Sequence, residues 1–361
     1  MKTFHINSLQ RGFTLIELMI AMLIGVFLMG GVIQIFLSAK QAYRLQENLS
    51  RLQENGRFAM DFITKDVRMA GFIGCSKTLP VPVGTVTELT KISGKDSIAS
   101  NWNSTAVCGG NNECIATTDA ISFQYAKSCG GQLTASMLSS ALNTSIKIGA
   151  NSCSINNNDR LLIADCATSD VFTATGTTNT TVNGKVTATD VKSTTVLSKP
   201  YLTDAELFRF ESSLSYYIRK GAGDRPALWR FDGSVANELI EGIENMQILY
   251  GVDTDTPNQD FIPNYYVDST KVTGLAPIPT NVKDSAGVVT LDPNFPAWGR
   301  VVSVRISLLA ATIDDGLTFS TKTDGTETSQ PYTYNGTTTT PTDRRIRRVF
   351  SSTIAVRNRL P

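Results

Sequence analysis

The chain has 361 residues, 41% hydrophobic and 18% charged, with 33 basic and 32 acidic side chains and a formal net charge of +1. That length allows roughly two domains, and that charge excludes the global basic field of a general nucleic-acid binder. The single histidine, His5, precedes the first apolar run, so Ser-His or Cys-His catalysis and His-metal sites are excluded from everything after it.

Residues 1–12 are short and polar, with Lys2, His5 and Arg11. Phe13 then opens an apolar stretch that runs to Leu37. From Leu18 to Leu37 no residue is charged, and Gln34 is the one strongly polar side chain. Twenty such residues in a helix rise about 30 Å, one hydrocarbon core, which predicts a membrane-spanning helix. An ordinary secretory signal is cut after its apolar region. Without residues 1–12 the balance is 31 basic to 32 acidic side chains.

Glu17 breaks the apolar pattern. Near the bilayer centre an acidic side chain costs about 2.5–3.5 kcal/mol. Either it lies at the interface, where the cost falls, or it is a charge kept for a partner. Gly25, Gly30 and Gly31 each cost about 1 kcal/mol in a helix interior. They fit close helix packing or a segment that unwinds. Lys40 and Arg44 flank the far side of the span, so the distribution of basic residues does not set orientation.

The helix is expected to continue. Leu45, Leu49, Leu52, Ala59, Phe62 and Ile63 fall mostly on one face, while Arg44, Glu47, Arg51, Glu54, Arg57 and Lys65 fill the remainder. No proline occurs before Leu79, and Gly71 and Gly74 are the expected stops. The prediction is one helix from Phe13 to about Ala70, roughly 85 Å long. Residues 13–37 form its apolar half and 38–71 its amphipathic half.

Residues 72–200 are rich in Thr, Ser, Asn and Gly and hold all six cysteines: Cys75, Cys108, Cys114, Cys129, Cys153 and Cys166. An even count in an exported domain points to three disulfides. Zinc is the rival, but no Cys-x-x-Cys occurs. Six cysteines allow fifteen pairings, and the sequence does not choose among them. Ile121, Phe123 and Tyr125 read as a strand, as does Arg160 to Ala164. Thr173 to Thr195 reads as a hairpin turning at Asn183-Gly184.

Residues 201–361 read as a second β-rich part. Phe208, Phe210, Leu214, Tyr216 and Ile218 share one parity and predict a half-buried strand. Gly221 to Asp224 turns the chain, and Ala227 to Phe231 returns it. Glu238 to Tyr250 is predicted as a short helix leading into a strand. Val302, Val304, Ile306 and Leu308 alternate with polar residues, and Phe350, Ile354 and Val356 repeat the parity. Arg344, Arg345, Arg347 and Arg348 form a basic cluster, read as a solvated strand edge that discourages unwanted pairing; a nucleic-acid partner is not expected. Asp253, Asp255 and Asp260 place carboxylates in one loop, candidate ligands for calcium, which needs six to eight oxygens. Pro257 and Asn258 depart from the EF-hand pattern, and no other cofactor is indicated. The fold class expected is α+β, a long N-terminal helix packed on an antiparallel sheet head.

Arg11-Gly12-Phe13-Thr14-Leu15-Ile16-Glu17 resembles the class III prepilin signal of type IV pilins. The resemblance implies cleavage after Gly12 by a prepilin peptidase, N-methylation of Phe13 by the same enzyme, and an assembly role for Glu17. It also implies a leader in the cytoplasm, a single inner-membrane span, and a head in the periplasm and later on the pilus. A narrower likeness, to PilW-type minor pilins, lies in residues 44–58, 68–75 and 241–253 and in Arg357-Asn358. It implies a minor pilin that helps start assembly near the tip, with other minor and major pilins, a tip adhesin, the inner-membrane assembly platform and the lipid bilayer as partners. A type II secretion pseudopilin is the alternative, and a DNA-uptake pilin a lesser one.

Overall fold

The computed structural model describes residues 13–72, 74, 92–98, 107–109, 114–276, 278–283, 289–295, 297–317, 320–321 and 327–356. Gly12, Cys75, Arg357 and Asn358 lie outside them. The chain divides into two compact units, Met1–Arg51 and Leu52–Pro361. Helix α1, Leu15–Met69, is 55 residues long and belongs in part to each.

In the first unit α1 begins where Thr14 caps it. The Thr14 carbonyl accepts from Leu18 N–H at 3.2 Å, and its side-chain Oγ1 accepts from Glu17 N–H at 3.3 Å. The first is the opening bond of the helix, and the second satisfies one of the donors a helix start leaves open. The apolar half is the one described helix long and apolar enough to cross a membrane, and none of its span is buried by the chain itself. The helix runs unbroken through Gly25, Gly30 and Gly31, and a Cβ at any of them would meet nothing within 4 Å among the described residues beyond the helix's own backbone.

In the second unit α1 buries Leu52, Ala59, Ile63, Val67 and Ala70, a stripe at helical spacing. Phe62, expected on this face, is 46% exposed; at 100° per residue it stands well away from the line through Ala59 and Val67. Gly56 is on that line because the helix backbone presses on the sheet there. A Cβ would fall 2.2 Å from the Phe350 ring. Gly71, at φ 74°, stops the helix as expected, and its N–H donates to the Gln124 carbonyl at 2.9 Å.

The rest of the second unit is antiparallel sheet. Nine strands make the first sheet: β1 (Ile92–Lys95), β2 (Ala120–Gln132), β3 (Ser145–Ile148), β4 (Arg160–Ala164), β5 (Ser169–Val182), β6 (Lys185–Ser193), β7 (Glu206–Lys220), β8 (Pro226–Phe231) and β9 (Ala236–Glu241). Their order is β1-β2-β7-β4-β5-β6-β3, with β8 joining β7 to β9. β7 is the central strand. It has β2 along one edge and β4 then β8 along the other, so strands from both sides of residue 200 share one sheet. The β5–β6 hairpin turns at Asn183 and Gly184, both with positive φ as its turn type requires.

The second sheet holds β10 (Ile243–Val252), β11 (Tyr265–Val267), β14 (Val301–Ala311) and β19 (Arg347–Ala355), ordered β11-β10-β14-β19. Between them lie a short helix α2 (Ser269–Gly274) and the hairpins β12–β13 (Ile278–Lys283, Val289–Phe295), β15–β16 (Ser320–Thr321, Glu327–Thr328) and β17–β18 (Tyr332–Tyr334, Thr337–Thr339).

Two expectations change. The helix predicted within Glu238 to Tyr250 is β9 and β10 instead. Gly242, at φ 85°, turns the chain between them, and its N–H and carbonyl bond to Pro226 and Ala311 across both neighbouring strands. A register shift beside Ile243 breaks the period-two pattern that would have revealed β10. β7 is not half-buried along its length. Leu214 to Arg219 are buried on both faces, because Tyr217 packs with Ile98, Val107, the Cys108 and Cys114 pair, and Ala120 on the face away from Asp66.

Candidate functional site

At the N-terminus, Phe13 is 84% exposed and Glu17 lies in the first turn of α1. Thr14-Leu15-Ile16-Glu17 is a Thr-x-x-Glu helix start, and an acidic side chain at that turn also suits the positive end of the helix dipole. Thr14 was not singled out by the sequence reading, although that spacing was there to be seen. The structure therefore places a carboxylate one turn from Phe13, at the mouth of a stretch that carries no charge.

The other end of α1 is clamped to the first sheet. Asp66 Oδ2 accepts from Tyr216 O–H at 2.6 Å and from Arg230 Nε at 3.0 Å. Burial raises the Tyr216 hydroxyl well above its usual range, and the Asp66 charge adds to this. Burial alone would pull the Arg230 guanidinium down, but Asp66 outweighs it and the net shift is upward. A buried carboxylate, Asp119, ties the two sheets. Its Oδ1 accepts from Ser97 N–H at 3.1 Å and its Oδ2 from Ile248 N–H at 2.8 Å. Burial pushes its pKa up to about 6 against those two donors, with the charges of Asp96 and Asp268 adding.

Of the cysteines, Cys108 bridges Cys114 and Cys129 bridges Cys153; Cys166 is exposed and has no disulfide partner among the described residues. Asp253, Asp255 and Asp260 do come together, each offering a carboxylate oxygen within 4.8 Å of the others. The loop's own amides use them: Asp255 and Phe261 N–H donate to Asp253 at 2.9 and 2.8 Å, and Ile262 N–H to Asp260 at 2.8 Å. Burial raises the Asp253 pKa despite those donors, and the neighbouring carboxylates add to it. These are the residues that could hold a divalent cation, which would relieve that repulsion, with three of the six to eight oxygens calcium takes.

The comparisons with known proteins fall on both ends of the chain. Residues 7–33 match the family model described as Prokaryotic N-terminal methylation motif, and residues 215–358 match Type IV Pilus-assembly protein W. These two matches support a type IV minor pilin. No curated protein and no solved structure matches it.

The PilW match covers residues 241–253 and Arg357-Asn358, two of the blocks on which the likeness rested, while residues 44–58 and 68–75 lie outside it. It also covers the basic cluster, which is only partly the solvated edge expected. Arg347 donates to Glu244 at 2.6 and 2.9 Å and to Asp343 at 2.6 and 2.8 Å. Arg345 lies within 4.0 Å of the same two carboxylates. The Arg347 hydrogen bonds hold Asp343 below the usual carboxylate range. The family is one of pilus assembly, its methylation motif implies processing by a prepilin peptidase and assembly with other pilins, and the apolar helix anchors the chain by a single N-terminal span.

Proposed function

We propose that this chain is a minor pilin that helps initiate type IV pilus assembly and is built in at or near the tip. Its leader is cut at Gly12, Phe13 becomes the methylated N-terminus, and the head stands in the periplasm before export. The observation that carries the reading is Glu17, an acidic side chain in the first turn of α1, directly after the cleavage motif and directly before an uncharged membrane-length run. For anchoring alone it is a liability. A filament subunit has a use for it, because the α-amine freed at Phe13 needs an anionic partner once it leaves water. Other pilins, a tip adhesin and the assembly platform are the partners this role requires.

The test is a strain lacking the native copy, scored for surface pili by shearing and for extracellular enzymes by secretion assay. Loss of pili with normal secretion, the pili restored by the wild-type chain, is the expected result. Normal pili with failed secretion would move the chain to a type II secretion pseudopilus.

A further inference from the structure

β19 forms one edge of the second sheet. It pairs with β14 over nine consecutive residues, from Ser303 opposite Ala355 to Ala311 opposite Arg347, with no register shift. Flanking bonds fix the phase: Val356 N–H donates to the Val302 carbonyl and Thr312 N–H to the Ile346 carbonyl, each at 2.9 Å. Even-numbered residues of β19 therefore bond to β14. The backbone groups of Arg347, Val349, Ser351, Thr353 and Ala355 point to the free side. Among the described residues no hydrogen bond reaches them.

Exposed edges are normally blunted by lysine, proline, bulges or short length. The strands that end the nine-stranded sheet, β1, β3 and β9, and β11 at the far end of this one are six residues or shorter. Val349 to Ala355 has no charge, no proline and no bulge. At its start stands Arg348, which is exposed and, among the described residues, has no acidic partner, unlike Arg345 and Arg347. On the free side Arg348 occupies a non-hydrogen-bonded position, where side chains of facing strands approach most closely.

We propose that the free edge of β19 receives, antiparallel, an extended segment of a different exported subunit. That segment carries Asp or Glu opposite Arg348 and uncharged residues opposite Val349 to Ala355. Charge complementarity argues against a second copy of this chain: self-pairing about Ser351 sets Arg348 against Ile354 and leaves the cation unmatched. The proposal rests on the minor-pilin reading only for the expectation that the incoming strand belongs to another pilin.

The experiment uses the full chain in its own strain, with p-benzoylphenylalanine placed in turn at Val349, Ser351 and Thr353, and at Arg305 on the inner strand as control. Cross-links from β19 to one other polypeptide are expected, with partner positions falling in number as those of β19 rise. Ser351→Pro removes an outward N–H and leaves the β14 bonds alone, so it should cut the yield at Val349 at least fivefold while the head keeps its protease resistance. Arg348→Glu should do the same, and reversing the facing carboxylate to lysine should restore the yield. Self-cross-links, cross-links without register, or yields unchanged in both variants would overturn the proposal. The readout is taken in the membrane fraction, so it stands or falls whether or not the chain proves to enter pili.

Discussion

At the scale of single residues, the buried carboxylates carry consequences that can be measured. Asp119 has a folded pKa of about 6 against an ordinary 3.8, raised by burial first and by Asp96 and Asp268 after the opposing N–H donors. A raised acid takes its proton more readily in the folded state. Its contribution to stability is therefore present below about pH 4 and is lost as pH rises through 6. The full loss is about 3 kcal/mol, at about 1.4 kcal/mol per unit, and about 2 kcal/mol of it falls between pH 4.5 and 7. Denaturant unfolding of the detergent-held chain at pH 4.5 and pH 7 should show this slope, and Asp119→Asn should flatten it. Asp253 shifts in the same direction, so the difference between wild type and variant is the measure. An unchanged slope in the variant would remove Asp119 as its source. Asp119 gave no sign in the sequence, because its importance comes from Ile248, 129 positions away. Glu17 was legible because its anomaly is local.

Among the elements, α1 was readable nearly to the residue: its span follows from hydropathy and its stop from Gly71, while the cap at Thr14 that sets its start was passed over. What holds its end to the sheet was not readable, since Asp66 looks like any charge on an amphipathic helix. The clamp predicts coupling. Asp66→Ala should destabilise the head by about 2–4 kcal/mol, because it takes the carboxylate from Arg230 and leaves the Tyr216 hydroxyl only the longer bond to the Phe62 carbonyl at 3.4 Å. Arg230→Ala should cost at least 1 kcal/mol less in the Asp66→Ala background than alone. Thermal or denaturant melting of the four proteins checks this, and additivity within about 0.3 kcal/mol would contradict the clamp. β7 and β10 show the opposite failure of reading. The apolar parity of β7 was real, but polar-looking Ser215 and Arg219 are also buried, since a second layer around Cys108 and Cys114 covers the other face. In β10 the shift beside Ile243 imitates helical spacing.

For the whole molecule, the α+β class and the long apolar helix followed from periodicity, while disulfide pairing required coordinates. Two bridges use four cysteines and leave Cys75 and Cys166. Gly74 lies against the end of β4, where a Cβ would stand 3.2 Å from that of Ala164, two residues before Cys166. A non-reduced peptide map of the exported chain is expected to show Cys75 linked to Cys166 besides the two bridges seen. Alkylation of Cys166 without prior reduction would count against that link. Removing the Cys129–Cys153 bridge should cost about 2–5 kcal/mol in an exported head.

The central claim is that Glu17 serves assembly and not anchoring. The measurement is the distribution of Glu17→Leu protein between sheared fibres and membranes in a strain lacking the native copy, beside Gly12→Val as the uncut control. Glu17→Leu should be cleaved, with Phe13 at its N-terminus, and membrane-bound at wild-type level, because insertion gains from losing the charge. Few or no pili should form, since the Phe13 amine is left without its carboxylate in a low-dielectric site. Normal pili containing the Glu17→Leu chain would contradict the account and leave Glu17 as a helix-start residue alone.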